Sequence, residues 1–261
     1  MDAGTGTGNS SIDKTLTVLE ALVQNSRVTD IASRSGLSKS TVHRILQSLV
    51  ARGFARPDGN GGYLPGARIL TLAGMVMQQF DPAQQADLVL RDLRDRTGLA
   101  VHFAVRAGDE AVYVAKLDGL RAYQMRSRVG MSIALHTTAI GKAILAELPV
   151  EECESVISRL PLKAMTEHSI TSRAELRRQL ARARADRYAV DGGENDPGIS
   201  CVGAAVFDHS GGVLGGVSVS ALSFDLDVKD AAAIAAVRDA ARRISLALGA
   251  HEDTAEGLRT R

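Results

Sequence analysis

The chain has 261 residues and a mass of 27.6 kDa, enough for one large domain or two small ones. Apolar residues make up 45% and charged residues 23%, an ordinary globular balance, and with aromatics at 3% and no Trp any core must be built from Ala, Val, Leu and Ile. With 31 Lys and Arg against 30 Asp and Glu, binding of polyanions by bulk charge is excluded, although a net charge of +1 hides local asymmetry.

Residues 1–10, rich in Gly, Thr and Ser, have the composition of a disordered lead-in and no apolar run of a secretion signal. Over 12–24 the apolar positions Ile12, Leu16, Leu19, Leu22 and Val23 fall near one stripe and predict a helix. Thr29 is placed to cap a short helix containing Ile31 and Ala32, which Gly36 stops. Ser38 caps the next run, whose Val42, Ile45, Leu46, Leu49 and Val50 make one apolar face. Gly53 ends it, and 54–65 reads as a short hairpin with a Gly-rich tip. The helix predicted at 67–80 is apolar on much of its circumference, so something must cover it, and a partner subunit is the expected cover. Pro82 opens a further helix that runs to Thr97.

Beyond this point strands alternate with helices. Segments 99–106, 111–116 and 122–126 have strand character, and 137–148, 150–160 and 172–187 are helical. A hairpin is expected from 201–208 and 213–221 around Ser210-Gly211-Gly212, followed by a long Ala-rich helix over 227–248. Strand pairs joined by tight turns, with helices between them, make this an α+β domain on an antiparallel sheet. No run approaches the roughly 18–20 apolar residues of a membrane span. Cys153 and Cys201 lie far apart without CxxC spacing, which fits a reducing compartment, so the expected location is the cytoplasm.

Helix, tight turn, helix and hairpin is the order of a winged helix-turn-helix. Opposite the apolar face of the second helix lie Lys39, Ser40, Thr41, His43, Arg44, Gln47 and Ser48. Its start at Ser38 offers N–H groups to a phosphate, while Lys39, Thr41, Arg44 and Gln47 carry groups able to read base edges in the major groove. In the hairpin, Arg56 is a further candidate DNA contact, and Asn60 and Tyr63 contact phosphate or simply make the turn. Over 27–56 the basic residues Arg27, Arg34, Lys39, Arg44, Arg52 and Arg56 face one acid, Asp30, a concentration of positive charge absent from the chain as a whole. The competing reading is a three-helix module for protein contacts.

The segment Thr29-Asp-Ile-Ala-Ser-Arg-Ser-Gly-Leu-Ser-Lys-Ser-Thr-Val-His-Arg-Ile-Leu resembles the reading head of the IclR family of bacterial transcription regulators. Leu135-His-Thr-Thr-Ala-Ile-Gly-Lys-Ala-Ile-Leu-Ala is similar to that family's signature loop and helix. The order continues through Arg187-Tyr-Ala-Val-Asp, Glu194, Gly198-Ile-Ser-Cys-Val-Gly-Ala-Ala-Val-Phe-Asp and Val217-Ser-Val-Ser. His43 stands where Tyr is frequent in the family. The resemblance implies a winged helix-turn-helix at 11–65, a linker and dimerisation helix at 66–81, a GAF-like effector domain at 82–250 and a C-terminal tail at 251–261. It further implies a regulator, more often a repressor, that binds a pseudo-palindromic operator in double-stranded DNA as a homodimer or a tetramer of paired dimers. The resemblance also implies a small organic effector (a carboxylic acid, an aromatic or a sugar acid) in the C-terminal domain.

The residues and the resemblance converge on one pocket. Alternation in Val217-Ser218-Val219-Ser220 puts both hydroxyls on one sheet face, and Ala139-Ile140-Gly141-Lys142 opens a helix whose free N–H groups suit a carboxylate. By matching position the lining residues are Ala139, Ile140, Asp191, Ile199, Cys201, Ser218 and Ser220, with Met125 from the preceding strand. Taken singly, each has a plainer role, such as a solvated strand face for the serines, a small buried hydrophobe for Cys201 or a turn cap for Asp191. An enzyme is the main rival, with the winged helix used only for assembly. Its motifs are missing: His136 stands where a phosphate loop needs its first Gly, and Gly216-Val-Ser218-Val-Ser220 ends in Ser where a nucleophile elbow needs Gly. The six histidines (His43, His102, His136, His168, His209 and His251) lack ligand spacing, so no metal and no cofactor are expected. His102 reads as a half-buried strand residue, and the basic stretch 173–187 as a solvated face rather than a second nucleic-acid patch, since Glu175 and Asp186 interrupt it.

Overall fold

Residues 10–78, 80–121 and 123–255 are described in the computed structural model, and they fall into two units that divide between Phe80 and Asp81. The lead-in therefore lies outside the described residues except for Ser10, as do 256–261 of the tail.

In the first unit, α1 (Ser11–Gln24) starts from a capping box, in which Ser10 Oγ accepts the Asp13 N–H and the Asp13 carboxylate accepts the Ser10 N–H. Helix α2 (Val28–Ser35) begins earlier than the sequence suggests. Arg27 is its N-cap and takes the N–H groups of Asp30 and Ile31 on its carbonyl, so Thr29 lies inside the helix and bonds to Asp30 instead of capping. Gly36, at φ +66°, closes α2, and Ser38 Oγ accepts the Thr41 N–H at 3.3 Å to open α3 (Lys39–Ala51). Strands β1 (Ala55–Pro57) and β2 (Tyr63–Pro65) pair antiparallel as the wing, and α4 (Ala67–Met77) follows.

The core of this unit joins Val18, Ala21 and Leu22 to Ile31, Ala32, Val42, Ile45, Leu46 and Leu49. The stripe expected on α1 is thus corrected. Ile12, Leu16 and Val23 are exposed, because the helix carries two apolar stripes and the one through the smaller Val18 and Ala21 fits against α2 and α3. Helix α4 likewise leaves Leu70, Met75 and Val76 in solvent, at 76%, 60% and 63% exposure.

The second unit begins at Asp81, which caps α5 (Pro82–Thr97). Strands β3 (Ala100–Ala107), β4 (Glu110–Leu117) and β5 (Ser132–Ala134) precede helices α6 (Ala139–Glu147), α7 (Val150–Arg159) and α8 (Arg173–Asp186). Strands β6 (Ala189–Gly192), β7 (Ile199–Phe207) and β8 (Val213–Leu222) then lead into α9 (Ala231–Ala247) and the short α10 (Glu252–Ala255). All six strands form one antiparallel sheet in the order β5-β4-β3-β8-β7-β6. Helices α5 and α9 pack against one face of it, and α6, backed by α8, against the other.

The strand expected at 122–126 is a correction. Ala122 is outside the described residues, 123–126 run without strand pairing, and the third strand comes later, at β5. Arg121, Arg126 and Arg128 keep this stretch in water, and Gly130 at φ +84° turns the chain before it can rejoin the sheet. The four-residue β6 is too short to show a period. Two arginines of α8 tie it to its neighbours, while Arg177, Arg178 and Arg182 stay on the solvated face. Arg173 donates to the carbonyls of Ile157, Ser158 and Leu160, and Arg184 to those of Ala146 and Leu148, so they satisfy the open C-terminal ends of α7 and α6. No helix among the described residues is long and apolar enough to cross a membrane.

Candidate DNA-reading face and effector cavity

Burying Val42, Ile45, Leu46 and Leu49 turns the opposite face of α3 to solvent. Lys39, Ser40, His43, Arg44, Gln47 and Ser48 are all exposed there, with Thr41 half-buried at the first turn. Ser38 Oγ lies 3.1 Å from Ser40 Oγ and 2.9 Å from Thr41 Oγ1, a hydroxyl cluster around the helix start. Arg56 is exposed on β1. At the wing tip Asp58 accepts the N–H groups of Asn60 and Gly62 at 2.7 and 2.8 Å, and these bonds hold its carboxyl below the usual range.

Tyr63 has a different place from that of an exposed wing contact. Its ring is 7% exposed and belongs to the core of the unit. Its hydroxyl accepts from Gln47 Nε2 at 2.9 Å and lies 3.4 Å from His43 Nε2, the His and Tyr rings meeting edge-on at 6.3 Å. Tyr63 therefore locks β2 to the exposed face of α3 and fixes two of the side chains on it. Tyr63→Phe keeps the ring and removes the tie. Stability should fall by about 0.5–1.5 kcal/mol in a denaturant melt, and an unchanged midpoint would show that the hydroxyl positions nothing.

In the second unit the eight pocket positions come together around one cavity of about 100 Å³. Cys201 and Ile199 of β7, Ser218 and Ser220 of β8 and Asp191 of β6 supply the floor. Ala139 and Ile140 at the start of α6 supply a wall, and Met125 reaches in from the stretch before β5. The serines share a face because β8 alternates. Val217 and Val219 turn to the other side and are fully buried. Small residues bring α6 down onto the sheet, since a Cβ on Gly203 would stand 3.0 and 3.1 Å from the Ala139 carbonyl carbon and Ile140 N. Gly141 is needed for the turn into the helix, as a Cβ there would lie 2.4 Å from Leu135 Cα.

Thr138 caps α6, taking the Gly141 N–H on its Oγ1 at 3.0 Å and the Lys142 N–H on its carbonyl at 2.9 Å. The N–H groups of Ala139 and Ile140 have no partner among the described residues. Sequence reasoning missed Tyr113, Ser127, Asn195 and Asp196, which also line the cavity. Tyr113 was hidden because alternation along β4 does not say which face will be covered. His102 is buried further than its strand pattern suggested, at 3% exposure. It bonds to Ser127 Oγ at 2.7 Å, and burial pushes its imidazole down to about 4, so it stays neutral. Burial also pushes the Tyr113 hydroxyl and the Cys201 thiol up, which keeps both protonated.

Behind this wall lies a charge pair that motif reading did not single out. Lys142, 1% exposed, donates to both Glu194 carboxylate oxygens at 2.6 and 2.7 Å and to Gln179 Oε1 at 2.9 Å. Glu194 in turn gives its backbone N–H to Asp191 Oδ1 at 2.6 Å, so the pair fixes the loop that closes the cavity.

Two family models match the chain. One, described as the IclR helix-turn-helix domain, covers residues 11–59, and the other, described as Bacterial transcriptional regulator IclR C-terminal, covers 74–246. The chain belongs to the IclR family of bacterial transcriptional regulators. It is 34% identical over 248 residues to the HTH-type transcriptional regulator KdgR of Dickeya chrysanthemi, covering 93% of this chain and 81% of that one. To the HTH-type transcriptional repressor AllR of Escherichia coli K12 it is 30% identical over 247 residues, covering 93% and 91%. The crystal structure of the Thermotoga maritima IclR superimposes with a TM-score of 0.63 at 32% identity, covering 92% of this chain and 98% of that one. This IclR-family chain is thus a ligand-responsive DNA-binding transcriptional regulator and not an enzyme.

Proposed function

We propose that two copies of this regulator read a pseudo-palindromic operator, each through α3 and the wing, and that a small organic acid in the C-terminal cavity alters operator affinity. The observation that carries the reading is the pair of unpartnered N–H groups at Ala139 and Ile140, set beside the hydroxyls of Ser218 and Ser220 in one cavity. A helix start with free donors favours a carboxylate, and flanking hydroxyls suit a hydroxy or oxo acid. Ser38, Lys39, Ser40, Thr41, His43, Arg44, Gln47 and Arg56 are the proposed DNA contacts, with Tyr63 holding the face in shape.

Homodimerisation through α1 and α4 gives cover to Ile12, Leu16 and Val23 on the one and Leu70, Met75 and Val76 on the other. A dimer of dimers, action as a repressor and a place on cytoplasmic DNA complete the reading; the relative AllR is itself named a repressor. The ligand acts only through a difference in its affinity for the two arrangements of the reading heads, and a coupling of about 1–3 kcal/mol changes operator affinity roughly 5–150-fold.

Selection of bound sequences from random duplex DNA at 50 and 200 mM salt tests the DNA half of the proposal. A palindrome should be recovered at both salts. With about 8 phosphates neutralised per dimer, affinity for it should drop on the order of 10³-fold or more between them. Recovery of sequence-independent, salt-sensitive binding alone would sink operator recognition.

A further inference from the structure

Among the described residues Asp191 is the one carboxylate that faces the cavity from within the sheet. Its side chain is 2% exposed and lines the cavity. Oδ1 accepts the backbone N–H of Glu194 at 2.6 Å and that of Asn195 at 3.4 Å, while Oδ2 has no hydrogen-bond partner among the described residues.

The groups packed around it do not supply a counter-ion. From β3, β4 and β7 come His102, Tyr113 and Cys201, all neutral near pH 7. From α6 comes Lys142, whose three ammonium N–H groups are taken by Glu194 and Gln179, so that side arrives as a neutral pair. Asp196 adds a second acid at the rim, and the exposed Arg126 is the remaining charged residue of the lining. Loss of water pushes the Asp191 carboxyl up to about 7, against the pull of its two backbone N–H bonds.

A carboxylate seated on the Ala139 and Ile140 N–H groups shares this cavity with Asp191. Two carboxylates in one dry site do not both stay ionised, and they settle by holding one proton between them. We propose that the regulator binds its effector anion together with one proton, carried on Asp191 Oδ2 and donated as a hydrogen bond to the effector's carboxylate. The proton comes from solvent, no covalent bond of the effector changes, and the net charge of the cavity is the same before and after binding when Asp191 starts ionised. This rests on the reading that the cavity holds a carboxylic acid. It makes the regulator's response depend on pH as well as on metabolite level. Above pH 7 each further unit should weaken anion binding about tenfold, because the protonated form becomes tenfold rarer.

The test uses the full chain with formate and acetate, the smallest carboxylates, by calorimetry at pH 6 and pH 8 in paired buffers of different ionisation heat. Wild type should bind about tenfold more weakly at pH 8 than at pH 6, with close to one proton taken up per anion at pH 8. Asp191→Asn keeps the oxygen that accepts the two backbone N–H groups and puts an N–H donor where the acid proton sits. Its affinity should be independent of pH and, at pH 8, about tenfold above that of wild type.

Thermal melts separate a folding defect from a binding defect. Folding raises this carboxyl above its unfolded value, so the stability it contributes is full at acid pH and lost as pH rises through about 7. Asp191→Asn should therefore melt at or above wild type at pH 8. Equal wild-type affinity at both pH values without proton uptake overturns the proposal while leaving the carboxylate site standing. So does an Asn variant weakened at both, which would mean that an ionised Asp191 accepts from the ligand. Absence of any formate or acetate binding at either pH defeats the carboxylate reading itself, and the proton coupling with it.

Discussion

Replacing Lys142 with methionine should destabilise the second unit by about 3–5 kcal/mol, because it leaves the Glu194 carboxylate buried without its cation. The side chains are 1% and 9% exposed, so little water reaches the place of the missing partner. Burial already holds the Glu194 carboxyl above its ordinary value against the pull of Lys142. With the lysine gone the two largest influences against that push are lost, only the backbone bond from Gly192 still draws the carboxyl down, and Glu194 becomes neutral or drags water inward. For a unit of this size the loss corresponds to roughly 6–20 °C in melting temperature. The companion variant decides what the pair is for. If Lys142→Met and Glu194→Leu are combined, the desolvation cost of both charges disappears and stability should return to within about 1 kcal/mol of wild type or exceed it. The double variant should still lose effector binding, since the loop carrying Asp191's N–H partner is no longer pinned to α6. A single variant that melts like wild type would show that the pair is not desolvated in solution.

The first unit was the most legible part of the chain, for a physical reason. Its elements are short, capped by Ser38 and stopped by Gly36, and each buries one face, so local chemistry and long-range packing give the same answer. Thr29 misled because the backbone carbonyl of Arg27 serves the same N–H groups, and no side chain announces that. On α1 the sequence contains two apolar stripes, and only the neighbours decide which is core.

In the second unit the helices and the hairpin β7–β8 followed their periodicity, whereas β6 and β5, four and three residues long, are too short to show one. The pocket divides in the same way. Ser218 and Ser220 were readable from alternation, and the start of α6 from its turn. Asp191, Ile199, Cys201 and Met125 rested on family resemblance, since nothing local marks a strand residue as facing a cavity. The Lys142–Glu194 pair was beyond reach, because its partners stand 52 positions apart and a lysine in a helix ordinarily points to water.

Arg44→Ala should remove sequence-specific binding while leaving the fold intact. Arg44 is exposed in the middle of the polar face of α3 and makes no hydrogen bond or ion pair among the described residues, so truncating it should change stability by no more than about 0.5 kcal/mol. A bidentate contact from arginine to guanine is worth about 1–3 kcal/mol of discrimination. The proposed homodimer would make the contact twice at sites too far apart to couple, which gives about 2–6 kcal/mol, or roughly 30-fold to over 10⁴-fold in operator affinity. Arg52 and Arg56 provide the contrast. Both are exposed on the same unit but outside the helix face, and if they touch phosphate their loss should weaken every duplex equally and flatten the salt dependence. Fluorescence anisotropy with the selected operator and a scrambled duplex of the same length separates the two roles. Arg44→Ala should lose affinity for the operator and keep it for the scrambled duplex. Equal losses on both would reassign Arg44 to the phosphate backbone and move base reading to Lys39, Thr41 and Gln47. Of these only Gln47 is already oriented by a bond to Tyr63, so Gln47→Ala would then become the specificity-relaxing variant.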